Sequence, residues 1–169
     1  VPNGEEGNPS RVEFAPNGTY WVEGEILLLA REWVGLIGNG ATFVRTQPGP
    51  EMVKGYLSHL RFSHCAHVRV RNLTILGANL LGTYHQPHEG EHGIVFDACD
   101  DAVVRDCVIL RTFGDAMAVT GSPIVPTVPP SIPSTNVRLE ASTPLASRAD
   151  GIGRHFLSLT HADTVLLRG

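Results

Sequence analysis

The sequence predicts an all-β protein built as a parallel β-helix, a solenoid of about five coils in which each coil lays a strand on the coil before it. Three observations carry this expectation. The chain repeats itself at an offset of 34 residues, apolar residues alternate with period 2 inside each copy, and charges are few (18%) beside 18 Gly and 12 Pro. The whole chain, residues 1–169, is expected to form a single domain.

The repeat is clearest where Leu60-Arg61-Phe62-Ser63-His64-Cys65-Ala66-His67-Val68-Arg69-Val70-Arg71-Asn72 is written over Ile94-Val95-Phe96-Asp97-Ala98-Cys99-Asp100-Asp101-Ala102-Val103-Val104-Arg105-Asp106. Cys65 then falls on Cys99, and Val70-Arg71-Asn72 on Val104-Arg105-Asp106. One copy earlier, Ile26 and Leu28 fall on Leu60 and Phe62, and Val34 and Leu36 on Val68 and Val70. Later copies keep the pattern if the Pro-rich stretch 122–134 is an insertion. The first strand of each coil is then marked by Ile26, Leu60, Ile94, Met117 and Leu157, the second by Val34, Val68, Ala102, Val137 and Val165. Alternation of this kind buries one face of a strand, and no short copy can bury that face alone, so the copies must stack. The Leu-x-x-Leu-x-Leu-x-x-Asn ladder of leucine-rich repeats is absent.

Composition removes several function classes. The net charge is −4 and no run of Lys or Arg occurs, so a nucleic-acid partner is not expected. No apolar stretch reaches the roughly 18 residues that span a membrane. Cys65, Cys99 and Cys107 lie in apolar alternating segments without zinc-type spacing and are expected to be buried free thiols. The chain begins Val1-Pro2-Asn3-Gly4 without a leader and ends just after an apolar strand pattern. The stack is therefore expected to continue past residue 169.

The register also lines up polar residues. Two positions before the first-strand markers stand Ser58, His92, Asp115 and His155. Adjacent coils lie about 4.8 Å apart, so His92, Asp115 and His155 are expected to form a short row at one strand edge. A carboxylate between two imidazoles can fix a tautomer and raise a ring's pKa, as general acid/base chemistry requires. A second constellation is the loop Tyr84-His85-Gln86-Pro87-His88-Glu89-Gly90-Glu91-His92. His85, His88 and Glu89 are expected to wall a substrate groove beside His92. Three His and two Glu could ligate a metal, but a solvated loop is the expectation and no metal is assigned. Asp97, Asp100 and Asp101 could attract Ca²⁺. They do not stack into an acidic cage, however, and are expected to form a polar turn, so no cofactor is assigned. His59, His64, His67 and His161 are expected at the surface or at corners. The Pro-rich insertion is expected to be a semi-rigid loop flanking the groove.

Two stretches carry a family resemblance. Val12-Glu13-Phe14-Ala15-Pro16-Asn17-Gly18-Thr19-Tyr20 followed by Val34-Gly35-Leu36-Ile37-Gly38-Asn39-Gly40-Ala41-Thr42-Phe43 resembles the opening coil of pectin-lyase-like right-handed β-helix proteins. Glu91-His92-Gly93-Ile94 through Gly114-Asp115-Ala116-Met117-Ala118-Val119 resembles their repeat. The resemblance implies a right-handed helix, a polysaccharide or oligosaccharide partner, and a secreted or cell-surface location. Arg71 and Arg105, stacked by the register, could neutralise a uronate carboxylate or bracket the Asn72/Asp106 corner, and solvated arginines on a sheet face are the expectation. Polygalacturonase-type members carry three acidic residues on comparable coils. Here His92 takes the first place, Ala116 follows Asp115 where a second Asp belongs, and Gly153-Arg154-His155 stands near a Gly-His-Gly. Two-carboxylate glycoside hydrolysis thus lacks its acid and base. The loop is also similar to the Asp-Pro-His-Glu motif of alginate epimerases, with Gln86 replacing the Asp, and that activity is not carried over. Two readings stand at this point. One is a polysaccharide lyase, epimerase or hydrolase-like enzyme using His92, Asp115 and His155. The other is a non-catalytic module, tailspike- or adhesin-like, that binds glycan or spaces other parts. The sugar and the oligomeric state are not legible.

Overall fold

Apolar alternation with little helix-forming sequence leaves the backbone one economical way to satisfy its hydrogen bonds, which is to pair strands of successive copies. The computed structural model describes residues 1–50, 57–121, 132–141, 148–160 and 162–168, with backbone alone at 148 and 149. Among these residues the chain is all-β, with one short 3₁₀ turn at Gln86–His88 and every inter-strand pairing parallel.

The strands fall into two sheets. The first contains β1 (Ser10–Glu13), β2 (Thr19–Trp21), β4 (Glu32–Val44), β6 (Ala66–Leu76), β8 (Asp100–Arg105), β9 (Val108–Leu110), β11 (Ser134–Glu140), β12 (Arg148–Asp150) and β14 (Ala162–Arg168). The second contains β3 (Ile26–Leu29), β5 (Leu60–Ser63), β7 (Ile94–Asp97), β10 (Met117–Thr120) and β13 (Leu157–Thr160). From β3 onward the chain alternates between the sheets. Ile26, Leu60, Ile94, Met117 and Leu157 pair rung by rung in the second. In the first, Val34 pairs with Val68, Val68 with Ala102, and Val137 with Val165, in the register read from the repeat. Ser10 opposite Val34 adds one further rung ahead of these.

The inward rows fill the core with Leu28, Leu60, Phe62, Ile94, Phe96, Met117 and Val119 from one sheet and Val34, Val68, Val70, Ala102, Val104 and Val137 from the other. Each such side chain taken out of water contributes roughly 1.5–3 kcal/mol. Phe62 and Phe96 stack with ring centres 5.2 Å apart. Cys65, Cys99 and Cys107 are free and buried, as their apolar setting predicts.

Corners are made by left-handed residues, many of them Asn, Asp or His. Trp33, His67, Asp101, Asn136 and Thr164 hold φ of 51–56° one residue before successive first-sheet rungs. Non-glycine residues visit this region rarely, so the column is held by its neighbours. The rings of Trp33 and His67 stack at 3.8 Å, and His67 Nδ1 lies 2.9 Å from Asp101 Oδ2. At the Gly38-Asn39-Gly40 corner the register shifts, and a Cβ on Gly38 would lie 2.0 Å from the Asn72 carbonyl oxygen. Glycine alone fits so close an approach.

Several expectations change. Asp97 is not a turn residue. It ends β7, is buried, and pairs with Arg61 at 2.8 Å. Asp100 and Asp101 open β8, with Asp101 at the left-handed corner position, so the expected polar corner lies within the start of a strand. Thr135 and Asn136 hydrogen-bond to Asp100, and Arg69, Arg138 and His67 hold Asp101. His59 is buried rather than at the surface, with its Nδ1 3.2 Å from the His92 carbonyl oxygen. Ser134 belongs to β11, so that strand starts before the expected resumption at Val137. The bulk of the Pro-rich insertion (122–131) and His161 lie outside the described residues.

Candidate functional site

The row expected from the register forms at the edge of the second sheet. Asp115 sits two residues before β10, and its carboxylate is 2% exposed. His155 Nδ1 lies 3.0 Å from Asp115 Oδ1, and the His155 backbone N–H donates to the same oxygen at 3.1 Å. An ionised carboxylate only accepts, so it selects the tautomer with the proton on Nδ1. That leaves Nε2 as the basic atom of a ring that is 64% exposed.

His92 plays a different part from the one its sequence position suggests. The Asp115 backbone N–H donates to His92 Nδ1 at 2.8 Å, so this nitrogen is an acceptor. The 3.4 Å separation from Asp115 Oδ2 is therefore a contact of a neutral ring and not an ion pair. Burial pushes the His92 pKa down to about 4, against the raising effect of Asp115 and with a further lowering by Arg154. Asp115 acts to raise this ring's pKa, as a neighbouring carboxylate does, but loss of solvent outweighs it. Gly114 makes the fit possible, since a Cβ there would come within 2.7 Å of His92 Nδ1.

The loop 84–92 divides between solvent and core. Tyr84 donates its hydroxyl to Glu89 Oε2 at 2.8 Å, a bond that raises the phenol's pKa. Arg154 stands between this loop and the row, with Nη1 3.9 Å from Glu89 and Nε 3.8 Å from Asp115. Arg154 is a member of the cluster that spacing did not single out, although it adjoins His155 in the Gly-Arg-His triplet. The rings of His85 and His88 stack at 5.0 Å. His88 and Glu91 are not solvated, as a surface loop would have them, but buried. His88 Nδ1 lies 2.7 Å from Glu91 Oε1 without hydrogen-bond alignment. Glu91 Oε1 accepts the Gly49 backbone N–H at 3.0 Å, and its Oε2 faces Arg45 at 3.4 Å. No group of three or more His, Cys, Asp or Glu converges as a metal set among the described residues.

Arg71 and Arg105 are opposite one another in register, on β6 and β8 of the first sheet. They line a groove with Arg11, Arg69 and Arg138 that includes none of His92, Asp115 and His155. The structure therefore brings together His92, Asp115, His155 and Glu89, and puts the two arginines elsewhere. The non-core positions of the second sheet are also closed at its middle rungs, with Val95 0% and Ala118 2% exposed. Among the described residues no helix is long and apolar enough to cross a membrane.

Two buried imidazoles set a pH limit on the fold. Burial lowers His59 to about 4, as it does His92. An unfolded imidazole titrates near 6.5, so between about pH 6.5 and 4 the unfolded chain binds more protons than the folded one. Stability is expected to be full above about pH 6.5 and to fall by a few kcal/mol as pH drops through that window. Urea midpoints at pH 7.5, 5.5 and 4.5 measure it, and His59→Asn is expected to flatten the slope. An unchanged slope in that variant would remove His59 as a cause.

No protein-family model matches the chain, and no curated protein is similar to it in sequence. Among solved structures it is similar to a crystal structure from Parabacteroides merdae described as a "putative glycosyl hydrolase", at 14% identity and a TM-score of 0.53. The match covers 96% of this chain and 72% of that one, so the two share a fold of stacked parallel strands.

Proposed function

We propose that the chain is a right-handed parallel β-helix module of a secreted or surface protein that acts on polysaccharide, with Asp115 and His155 as its proton-transferring pair. The fold likeness to the P. merdae structure and the rung-by-rung register support the helix. The observation that carries the chemistry is a buried carboxylate orienting a solvent-facing imidazole at 3.0 Å. Such a pair delivers a base at Nε2 and stabilises the imidazolium after proton transfer. Arg154 supplies positive charge beside it. His155 Nε2 would take the proton next to a sugar carboxylate; the glycosidic C–O bond then breaks as the double bond forms, and the departing oxygen takes its proton from the imidazolium or from solvent, so no carboxylate pair is needed. This favours elimination over two-carboxylate hydrolysis.

The test is turnover of acidic and neutral polysaccharides, followed by absorbance of new double bonds and by reducing ends, with His155→Ala alongside. New unsaturated ends that vanish in His155→Ala are expected. Turnover undiminished in that variant would overturn the assignment. The closed middle rungs of the second sheet favour a second reading, a module that binds glycan without cleaving it. Under that reading no product forms with any substrate.

A further inference from the structure

We propose that Cys65 and Cys99 are a dithiol that closes reversibly into a disulfide, stapling one coil of the solenoid to the next. Both stand where the chain leaves the second sheet for the first, Cys65 between β5 and β6 and Cys99 between β7 and β8. The pairings on either side, Ser63 opposite Asp97 and Ala66 opposite Asp100, put them at the same register position on adjacent rungs. Each follows a left-handed residue, His64 at φ 53° and Ala98 at φ 50°, so the two backbones turn alike and both side chains join the core. Adjacent rungs are about 4.8 Å apart, inside the roughly 4.4–6.8 Å between Cα atoms that a disulfide spans. The two thiols are already in hydrogen-bond contact with each other.

The following rung shows what this corner needs for folding alone. Ser134 continues the column, since Thr135 is opposite Asp100. The side chain at each rung reaches a carbonyl oxygen one coil back: Cys65 Sγ that of Leu28 at 3.3 Å, Cys99 Sγ that of Phe62 at 3.3 Å, and Ser134 Oγ that of Phe96 at 3.4 Å. A hydroxyl therefore serves these carbonyls as a thiol does. Sulfur on two consecutive rungs adds what a hydroxyl lacks, the capacity to cross-link. Cys107 lies away from this column, between β8 and β9, and burial pushes its pKa up to about 12.

The surroundings divide the roles. The hydrogen bond with Cys99 holds the Cys65 thiol down at about 7, with Arg31 assisting against burial. The same bond, and then burial, pushes Cys99 up. Cys65 is thus the attacking thiolate. It attacks one sulfur of a small disulfide such as oxidised glutathione, forming a mixed disulfide and releasing one glutathione thiolate, which takes a proton. Cys99 then loses its proton to solvent and attacks Cys65 Sγ, expelling the second glutathione. Two protein thiols are oxidised and one disulfide is reduced to two thiols. The bond encloses the loop 84–92, and neither cysteine belongs to the Asp115–His155 pair, so the staple stands whether or not that pair turns over substrate.

Peptide mass mapping of the full chain after incubation with oxidised glutathione, in buffer and in urea below the unfolding midpoint, tests the proposal. The urea arm gives the oxidant access to thiols that are 2% and 1% exposed. A linked Cys65–Cys99 peptide pair, lighter by the two thiol hydrogens, is expected, with Cys107 left to react with iodoacetamide once the chain is denatured. Cys99→Ser places at this rung the side chain that Ser134 brings to the next, and is expected to stop with glutathione on Cys65. Cys107→Ser is expected to close the bond as the unaltered chain does. Closure is expected to raise Tm by several degrees, because the bond restricts the unfolded chain, and dithiothreitol is expected to reverse the rise. Three alkylated cysteines in both arms, a cross-link through Cys107 in place of that pair, no glutathione on Cys65 in Cys99→Ser, or a closed bond that leaves Tm unmoved would each overturn it.

Discussion

Asp115→Asn is expected to abolish turnover while leaving the fold intact. The side chain keeps its shape, but an amide can present its NH₂ to His155 Nδ1 and so select the wrong tautomer, placing the proton on Nε2 where the base must be. In a carboxylate–histidine pair of this kind the loss is on the order of 10⁴-fold in kcat. The same change is visible without substrate. The carboxylate 3.0 Å away accepts from Nδ1, so the ring-nitrogen NMR shifts of His155 are expected to place the proton on Nδ1 in the unaltered chain and on Nε2 in Asp115→Asn. An unchanged tautomer and unchanged turnover together would show that the buried carboxylate does no more than cap the strand edge through the His155 backbone N–H.

Glu91→Leu is expected to be the most destabilising single substitution on the loop side. Arg45 is fully buried, and it donates to the carbonyls of Gly24 at 2.7 Å and Leu57 at 2.9 Å besides facing Glu91. Removing the carboxylate leaves a guanidinium in the interior without its counter-charge, a change that typically costs about 3–5 kcal/mol. For a domain of this size that corresponds to a fall in Tm of about 10 °C. The paired substitution Arg45→Met/Glu91→Leu is expected to recover part of the loss, since neither charge then remains buried alone. Thermal melting of the three variants decides it. A double variant no better than the single would mean that the arginine matters for its carbonyl contacts rather than for its charge.

These two sites differ in how far the amino-acid sequence anticipates them. Asp115 and His155 could be placed beside each other because both stand two residues before a strand marker, and the marker row read from the apolar pattern keeps pairing rung by rung where the spacing departs from 34, with Met117 opposite both Ile94 and Leu157. Register is a local property: period 2 fixes which side chains face the core, and a slip by one would expose every one of them. The repeat therefore determined the parallel pairing, the core rows from Leu60 to Val119, the buried thiols and the stacking of Arg71 on Arg105.

What a side chain experiences is decided by residues far away in the chain. His59 and Glu91 read as surface groups, yet both are buried, because the backbone of 57–59 and the loop ending at Glu91 close over Arg45. No pattern around Arg45 announces this, as its partners come from Val22 to Glu91. The state of His92 likewise depended on packing. Its distance from a carboxylate argued for a charged ring, and only the depth at which the ring sits shows that desolvation prevails. The separation of the arginine groove from the Asp115 edge belongs to the same class. Sequence offset aligns residues along the stack, whereas the face on which each row lies is set by where the chain turns between the two sheets.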